Sequence, residues 1–253
     1  MICLALIRRY MKVSVTGSRG FIGSRLVELL KESGHEVVEW DKLISEDHDI
    51  ANWRPEDCDV LIHLAGLANV RKSLEQPEEY WYTNVELSKS LFFLALSSNM
   101  RVIYASSSCA KRWWLSPYGT SKKAMESIAP PRSLGMRFTT VYGPGSRKDM
   151  LIGRIRDNKL EYVTDHTRDF IHVDDVCSAI IKNLNNTILS GVIDVGTGVG
   201  TSVQELSQIA GMEVPLREGE PCEASENVAD TRPLLATGWK PKYNVKDYVE
   251  SII

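Results

Sequence analysis

No surplus of positive charge runs through these 253 residues: 30 Lys and Arg stand against 33 Asp and Glu, a formal net charge of −3. That gives no electrostatic basis for holding nucleic acid or an anionic membrane surface. Long apolar runs are missing too, and none approaches the roughly 20 residues a membrane-spanning helix needs. Cysteine is sparse. The five (Cys3, Cys58, Cys109, Cys177, Cys222) are scattered, odd in number and never spaced C-x-x-C. This argues against a metal site and a disulfide framework, and for a reducing compartment, the cytoplasm. The opening "MICLALIRRY" puts its apolar residues before its basic ones, the reverse of a secretory signal, so residues 1–10 read as an extension with no assigned role. No internal repeat, low-complexity tract or linker interrupts the rest of the chain. At 43% hydrophobic the composition is that of a globular protein, and the length fits one large domain with a small appendage.

What is present is alternation. "KVSVT" (12–16) is short, β-branched and followed by glycines, so it predicts a buried strand. Residues 21–33 place Ile22, Leu26, Leu29 and Leu30 on one helical face, with Gly34 as the stop. "EVVEW" and "DVLIHLAG" (59–66) read as the next strands, the second apolar enough to be covered on both faces. A long helix "NVELSKSLFFLALSSN", a strand "RVIYASS", a helix over 117–128 and a strand "LGMRFTTVY" follow. Such alternation predicts an α/β fold, a doubly wound parallel (Rossmann) sheet with right-handed crossovers. Residues 11–145 with 171–200 form the expected dinucleotide-binding domain. Residues 146–170 with 201–253 form a small, shortened substrate lobe.

Two local patterns carry chemistry. In "TGSRGFIG" (16–23), Gly17, Gly20 and Gly23 sit where a strand turns into a helix, with Arg19, Phe21 and Ile22 between them. Glycine allows the sharp turn and a close backbone approach, and the helix start offers free N–H groups to a pyrophosphate. Asp41 ends the second strand, where an acid would take the ribose hydroxyls of NAD. Arg19 and Lys42 could meet the extra phosphate of NADP, but the Asp41 carboxylate would repel it, so NAD is the expected cofactor. In "SPYGTSK" (116–122), Tyr118 and Lys122 lie one helical turn apart on one face. An ammonium beside a phenol lowers the phenol's pKa toward the range of a general acid or base.

Taken in order, "TGSRGFIG", Asp41, "DVLIHLAG", Asn84 in "TNVE", "VIYASSS", "SPYGTSK", "YGPGSR", "RDFIHVDDV" and "GWKPKY" make the chain resemble the extended short-chain dehydrogenase/reductase family, specifically its NAD-dependent nucleotide-sugar epimerases and dehydratases. The resemblance runs from about Met11 to about Tyr243. It implies that Tyr118 is the acid/base, that Lys122 holds the nicotinamide ribose and lowers the Tyr118 pKa, and that Ser107 bonds the reacting oxygen. It places Asp49 and Ile50 at the adenine and the backbone of Leu64, Ala65 and Gly66 along the cofactor. It puts Ser108 beside the substrate, with Arg168 and Arg232 on the diphosphate of a nucleotide-diphosphate sugar. His172 matches a structural histidine of the family; His35, His48, His63 and His166 have no partner legible in the sequence.

The departures refine this. Dehydratases and decarboxylases of the family carry an acid just past the catalytic Ser/Thr, whereas here Ser108 and Cys109 follow. Cys109 matches a cysteine of the family's 3,5-epimerase/reductases, but their accompanying histidine is missing from "GSRKDMLIGRI"; a cysteine after a strand is more often a small buried filler. Only ten residues separate Ser107 from Tyr118, which predicts a shallow pocket. Trp113 and Trp114 there could form its wall, meet a partner or pack inside. The expected activity is C4 epimerisation without a metal; the alternatives are a nucleotide-sugar reductase or dehydrogenase and a dinucleotide binder without turnover. The apolar band of the 84–99 helix is wider than one core face needs, which predicts a homodimer.

Overall fold

The computed structural model describes residues 10–253, so the expected N-terminal extension lies outside the described residues except for Tyr10, whose hydroxyl donates to Glu36 Oε2 at 2.9 Å. The chain enters β1 (Lys12–Thr16) with Val13 and Val15 fully buried, and α1 (Phe21–Glu32) lays Leu26, Val27 and Leu30 on the sheet. β2 (Glu36–Trp40) and β3 (Val60–His63) follow, the latter buried at every position as its apolar run requires. Two short helices, α2 (Val70–Glu75) and α3 (Pro77–Trp81), lead through a π-helical turn over Tyr82–Glu86 into α4 (Leu87–Ser97). Then come β4 (Arg101–Ser107), a 3-10 segment over Ser108–Leu115, α5 (Pro117–Ile128) and β5 (Leu134–Phe138).

The run "LGMRFTTVY", expected as one strand, is two. Thr139 donates its N–H to Val195 O at the end of the large sheet, and β6 (Thr140–Tyr142) then pairs elsewhere. The remaining elements are α6 (Leu151–Arg156), β7 (Val163–Thr164), β8 (Thr167–His172), α7 (Val173–Lys182), β9 (Gly191–Val195), β10 (Gly200–Ser202), α8 (Val203–Ile209), β11 (Leu216–Arg217), β12 (Glu226–Asn227), α9 (Arg232–Leu235) and α10 (Val245–Ser251). Six parallel strands form one sheet in the order β2-β1-β3-β4-β5-β9. The order reverses at β1, so the carboxyl ends of β1, β3 and β4 open a crevice there, where doubly wound sheets hold ligands.

A smaller sheet is built around β8, with β10 antiparallel to it and β12 and β6 parallel. Its own core gathers Tyr142, Ile152, Phe170, Leu206, Val245 and Val249, while Ile171, Val176 and Trp239 join the core under the large sheet. Asp169, fully buried on β8, knots three segments together. Its carboxylate accepts from the Thr197 N–H and hydroxyl, the Gly198 N–H and the Ala229 N–H at 2.7–3.1 Å. No helix among the described residues is long and apolar enough to cross a membrane.

Candidate active site

Gly17 ends β1 at φ +71°, and a Cβ there would stand 2.7 Å from the Ala65 backbone nitrogen. Gly23 is tighter still, since its Cβ would fall 1.9 Å from Gly17 O. Only glycine lets α1 start this close to the turn, so the helix N-terminus faces the crevice with its N–H groups. Gly17, Gly20, Phe21, Ile22, Gly23, Leu64 and Gly66 line one continuous cleft of about 1440 Å³. This cradle fits the dinucleotide that the sequence implies. Among the described residues no group of acids, histidines and cysteines has the arrangement of a metal site.

The other cofactor candidates sit outside the cleft lining. Asp41 Oδ2 accepts the Arg19 N–H and Oδ1 the Leu43 N–H, both at 2.9 Å, which folds the acid over the glycine turn. The Arg19 side chain pairs with Glu39 at 3.2 Å. Asp49 caps a 3-10 turn through the Ala51 N–H, and Ile50 packs on the cluster around Trp53. Ala65 contributes its backbone against Gly17.

Ser107, Ser108, Tyr118 and Lys122 line the same cleft. Ser116 caps α5 by accepting the Gly119 N–H at 3.0 Å, and Pro117 occupies the first turn, a strong helix start. This sets Tyr118 at the head of the helix, where its N–H donates to Ser73 Oγ and its ring meets Tyr80 edge-on at 6.2 Å. The 3-10 segment packs its backbone against Gly119, at 3.0 Å from a Cβ built there, and so holds Ser108 and Cys109 beside the tyrosine. Lys122 Nζ donates to Ala105 O at 2.9 Å. Asn84, inside the π-helical turn, clamps the loop after β3 by bonding Leu67 N–H and O, and reaches Ser121 Oγ at 3.0 Å.

Electrostatics correct one expectation. Burial pushes the Tyr118 phenol above its ordinary value, the nearby Cys109 adds to the rise, and a hydrogen bond with Ser107 opposes it. Burial, not Lys122, governs the phenol; burial also pulls Lys122 itself down to about 8, with Glu126 holding it up. Cys109 is also raised by burial and stays a thiol, apart from the reactive thiolates.

Of the two arginines expected on the substrate, Arg168 lines the cleft and Arg232 does not. Arg232 is 87% exposed and pairs with Asp230 at 2.6 Å, because α9 turns it outward. Arg71, Arg154 and Glu223 line the cleft although no motif marks them, and so does Arg147 of "YGPGSR", to which the sequence assigns no role. His63 does have partners: it is fully buried between Thr16 Oγ1 at 2.7 Å and Ser88 Oγ at 2.9 Å, and burial pulls it down to about 3, so it is neutral. His166 bonds Thr164 and Arg168. His172 caps α7 and stacks on Tyr243 at 4.1 Å. Trp113 and Trp114 do not line this cleft; they meet edge-to-face on the surface, Trp114 63% exposed. Cys222, Glu223, Ala224, Glu226, Asn227 and Val228 add a further stretch of lining to the cleft.

A glycine turn at the switch point of a parallel sheet, joined by one cleft to a serine, a tyrosine and a lysine, defines a dinucleotide-dependent enzyme of the extended short-chain dehydrogenase/reductase type. The profile of the NAD dependent epimerase/dehydratase family matches residues 13–111 and 114–196, and the chain belongs to that family, whose cofactor is NAD. A UDP-glucose 4-epimerase of Yersinia enterocolitica is 28% identical, with 95% of this chain and 96% of the relative covered. That alignment spans 326 positions against the 253 residues here, so the relative carries insertions this chain lacks. Protein CapI of Staphylococcus aureus is 30% identical over 68% of this chain and 69% of its own length. Among solved structures, MoeE5 in complex with UDP-glucose and NAD is 29% identical with a TM-score of 0.81, covering 94% of this chain and 96% of that one.

Proposed function

We propose that the protein is an NAD-dependent epimerase of a nucleotide-diphosphate sugar, inverting C4 by transient oxidation. The observation that carries this reading is the meeting of Ser107, Tyr118 and Lys122 in the cleft that the glycine turn opens. The glycine turn and the Leu64–Gly66 backbone hold the cofactor, with Asp41 on the ribose. NAD supplies the acceptor and donor of a hydride. Tyr118 Oη takes the proton of the sugar hydroxyl as the carbonyl forms and returns it afterwards, and the Ser107 hydroxyl donates to the same oxygen. The Lys122 ammonium, on the same helix face, holds the nicotinamide ribose, since burial rather than this charge governs the phenol. Arg19 is occupied by Glu39 and Asp41 adds a second negative charge nearby, which supports NAD over NADP. Ser108 and Cys109 supply no carboxylate, and Cys109 stays protonated, so dehydration lacks its usual acid. Ser108 accepts from Asn227 at 2.6 Å at the substrate side. The partner proposed beyond the nucleotide sugar is a second copy of the chain.

The test is incubation of the NAD-loaded enzyme with UDP-glucose. Formation of UDP-galactose without net change at the NADH absorbance supports the epimerase. Net NADH accumulation moves the assignment to the oxidoreductase reading, and tight NAD binding without turnover of any UDP-sugar offered moves it to the non-catalytic one.

A further inference from the structure

The end of the cleft away from the glycine turn is rich in guanidinium. Arg217 on β11 lies over the Tyr162 ring at 4.4 Å, and Arg71 on α2 donates from Nη1 to Tyr162 Oη at 3.2 Å. That bond, with the charges of Arg71, Arg154 and Arg217, holds the phenol below its ordinary value. Arg168 on β8 completes the group. Its Nη1 is spent on the carbonyls of Thr167, Ala224 and Ser225, and its Nη2 faces His166 and Glu223.

Glu75, Asp149, Glu223 and Glu226 line the cleft, and of the acids Glu223 and the neighbouring Asp165 act on Arg168. Asp165 accepts the Gly219 N–H at 3.2 Å. Glu223 lies between the arginines: Oε1 accepts from Arg71 Nε at 2.9 Å and Oε2 from Arg168 Nη2 at 3.4 Å, with His166 Nδ1 at 3.6 Å. Arg71 comes from the cofactor-binding half and Glu223 from the segment joining β11 to β12, so one carboxylate ties the two walls of the cleft. A carboxylate on two guanidinium groups has the shape and charge of a phosphate or carboxylate ligand on the same groups.

We propose that Glu223 is an internal stand-in for an acidic group of the substrate, which replaces it on Arg71 and Arg168 while the Ala224 and Ser225 carbonyls stay bonded to Arg168. This rests on reading the cleft as a nucleotide-sugar site and adds what governs entry to it. Exchange of one anion for another keeps both arginines paired, whereas a neutral ligand would leave them as they are. The ligand chemistry is therefore an anion able to take two arginines, either the diphosphate or a carboxylate on the sugar ring.

The test is calorimetric titration of NAD-saturated protein with inorganic pyrophosphate, UDP, UDP-glucose and UDP-glucuronic acid. Glu223→Gln, which keeps the shape and removes the competing charge, should tighten binding about 5- to 10-fold, and Arg71→Gln should weaken it by a similar factor. A gain shared by pyrophosphate, UDP and both sugars assigns the seat to the diphosphate; a gain confined to UDP-glucuronic acid assigns it to a sugar carboxylate. Affinities for all four probes that are unchanged or lower in Glu223→Gln overturn the proposal, as does the absence of binding by any of them. Should Glu223→Gln not fold, unchanged affinities in Arg71→Gln overturn it equally. The pyrophosphate arm reads the seat whether or not the protein epimerises a sugar.

Discussion

Tyr118 is a buried phenol at the head of a helix, close to the Ser107 hydroxyl and the Cys109 thiol, and the proposed reaction has it carry the proton of the sugar hydroxyl. Tyr118→Phe removes only the hydroxyl, so it should lower turnover roughly 10²–10⁴-fold, the usual contribution of a positioned acid/base, while NAD binding by titration stays intact. Lys122 makes a prediction with a definite sign. Its folded pKa of about 8 lies below the ordinary 10.5, so between those values the unfolded chain binds the proton and the folded one does not. Stability therefore rises with pH across that window. Urea midpoints between about pH 8 and pH 10 should climb for the native protein relative to Lys122→Met, before unfolded tyrosines ionise at about 10; parallel curves would refute the burial of this charge.

Elements here are fixed by what grips them at the catalytic end. Glu126, on α5 one turn past Lys122, accepts from Arg137 Nε and Nη2 at 2.7 Å each and from Ser106 Oγ at 2.6 Å, which ties α5 to β4 and β5 beside Ser107. The carboxylate is buried, so Glu126→Ala leaves Arg137 only the more distant Asp194 at 3.9 Å and should cost about 3 kcal/mol in chemical denaturation. Strongly patterned elements were legible from sequence: α1, β4 and α5 fall where the sequence puts them, over 21–32, 101–107 and 117–128. The split between β5 and β6 was not, because apolar and β-branched residues continue through Thr139 and only the change of hydrogen-bond partner divides them. Arg71 and Glu223 escaped notice for a related reason. They lie 152 residues apart and become a pair only when two lobes meet, whereas Arg232 sat in a motif but faces outward.

At the scale of the whole molecule, α4 leaves an apolar face uncovered. Leu91, Phe92 and Ala95 are buried against the sheet, yet Phe93 is 68% and Leu96 53% exposed. A two-fold contact through this face would bury both copies at once, and light scattering at micromolar concentration should give about twice 28.4 kDa; a mass near 28.4 kDa refutes the dimer. Asp169 bears on how the molecule comes apart. An anion on β8 whose four donors belong to the 197–198 turn and Ala229 cannot be released by one segment alone without stranding a buried charge. Melting is thereby made all-or-none. Scanning calorimetry should show one endotherm with calorimetric and van't Hoff enthalpies in a ratio of about one. In Asp169→Asn, where an amide N–H₂ confronts donors the anion used to satisfy, the small lobe should melt in a separate, earlier step.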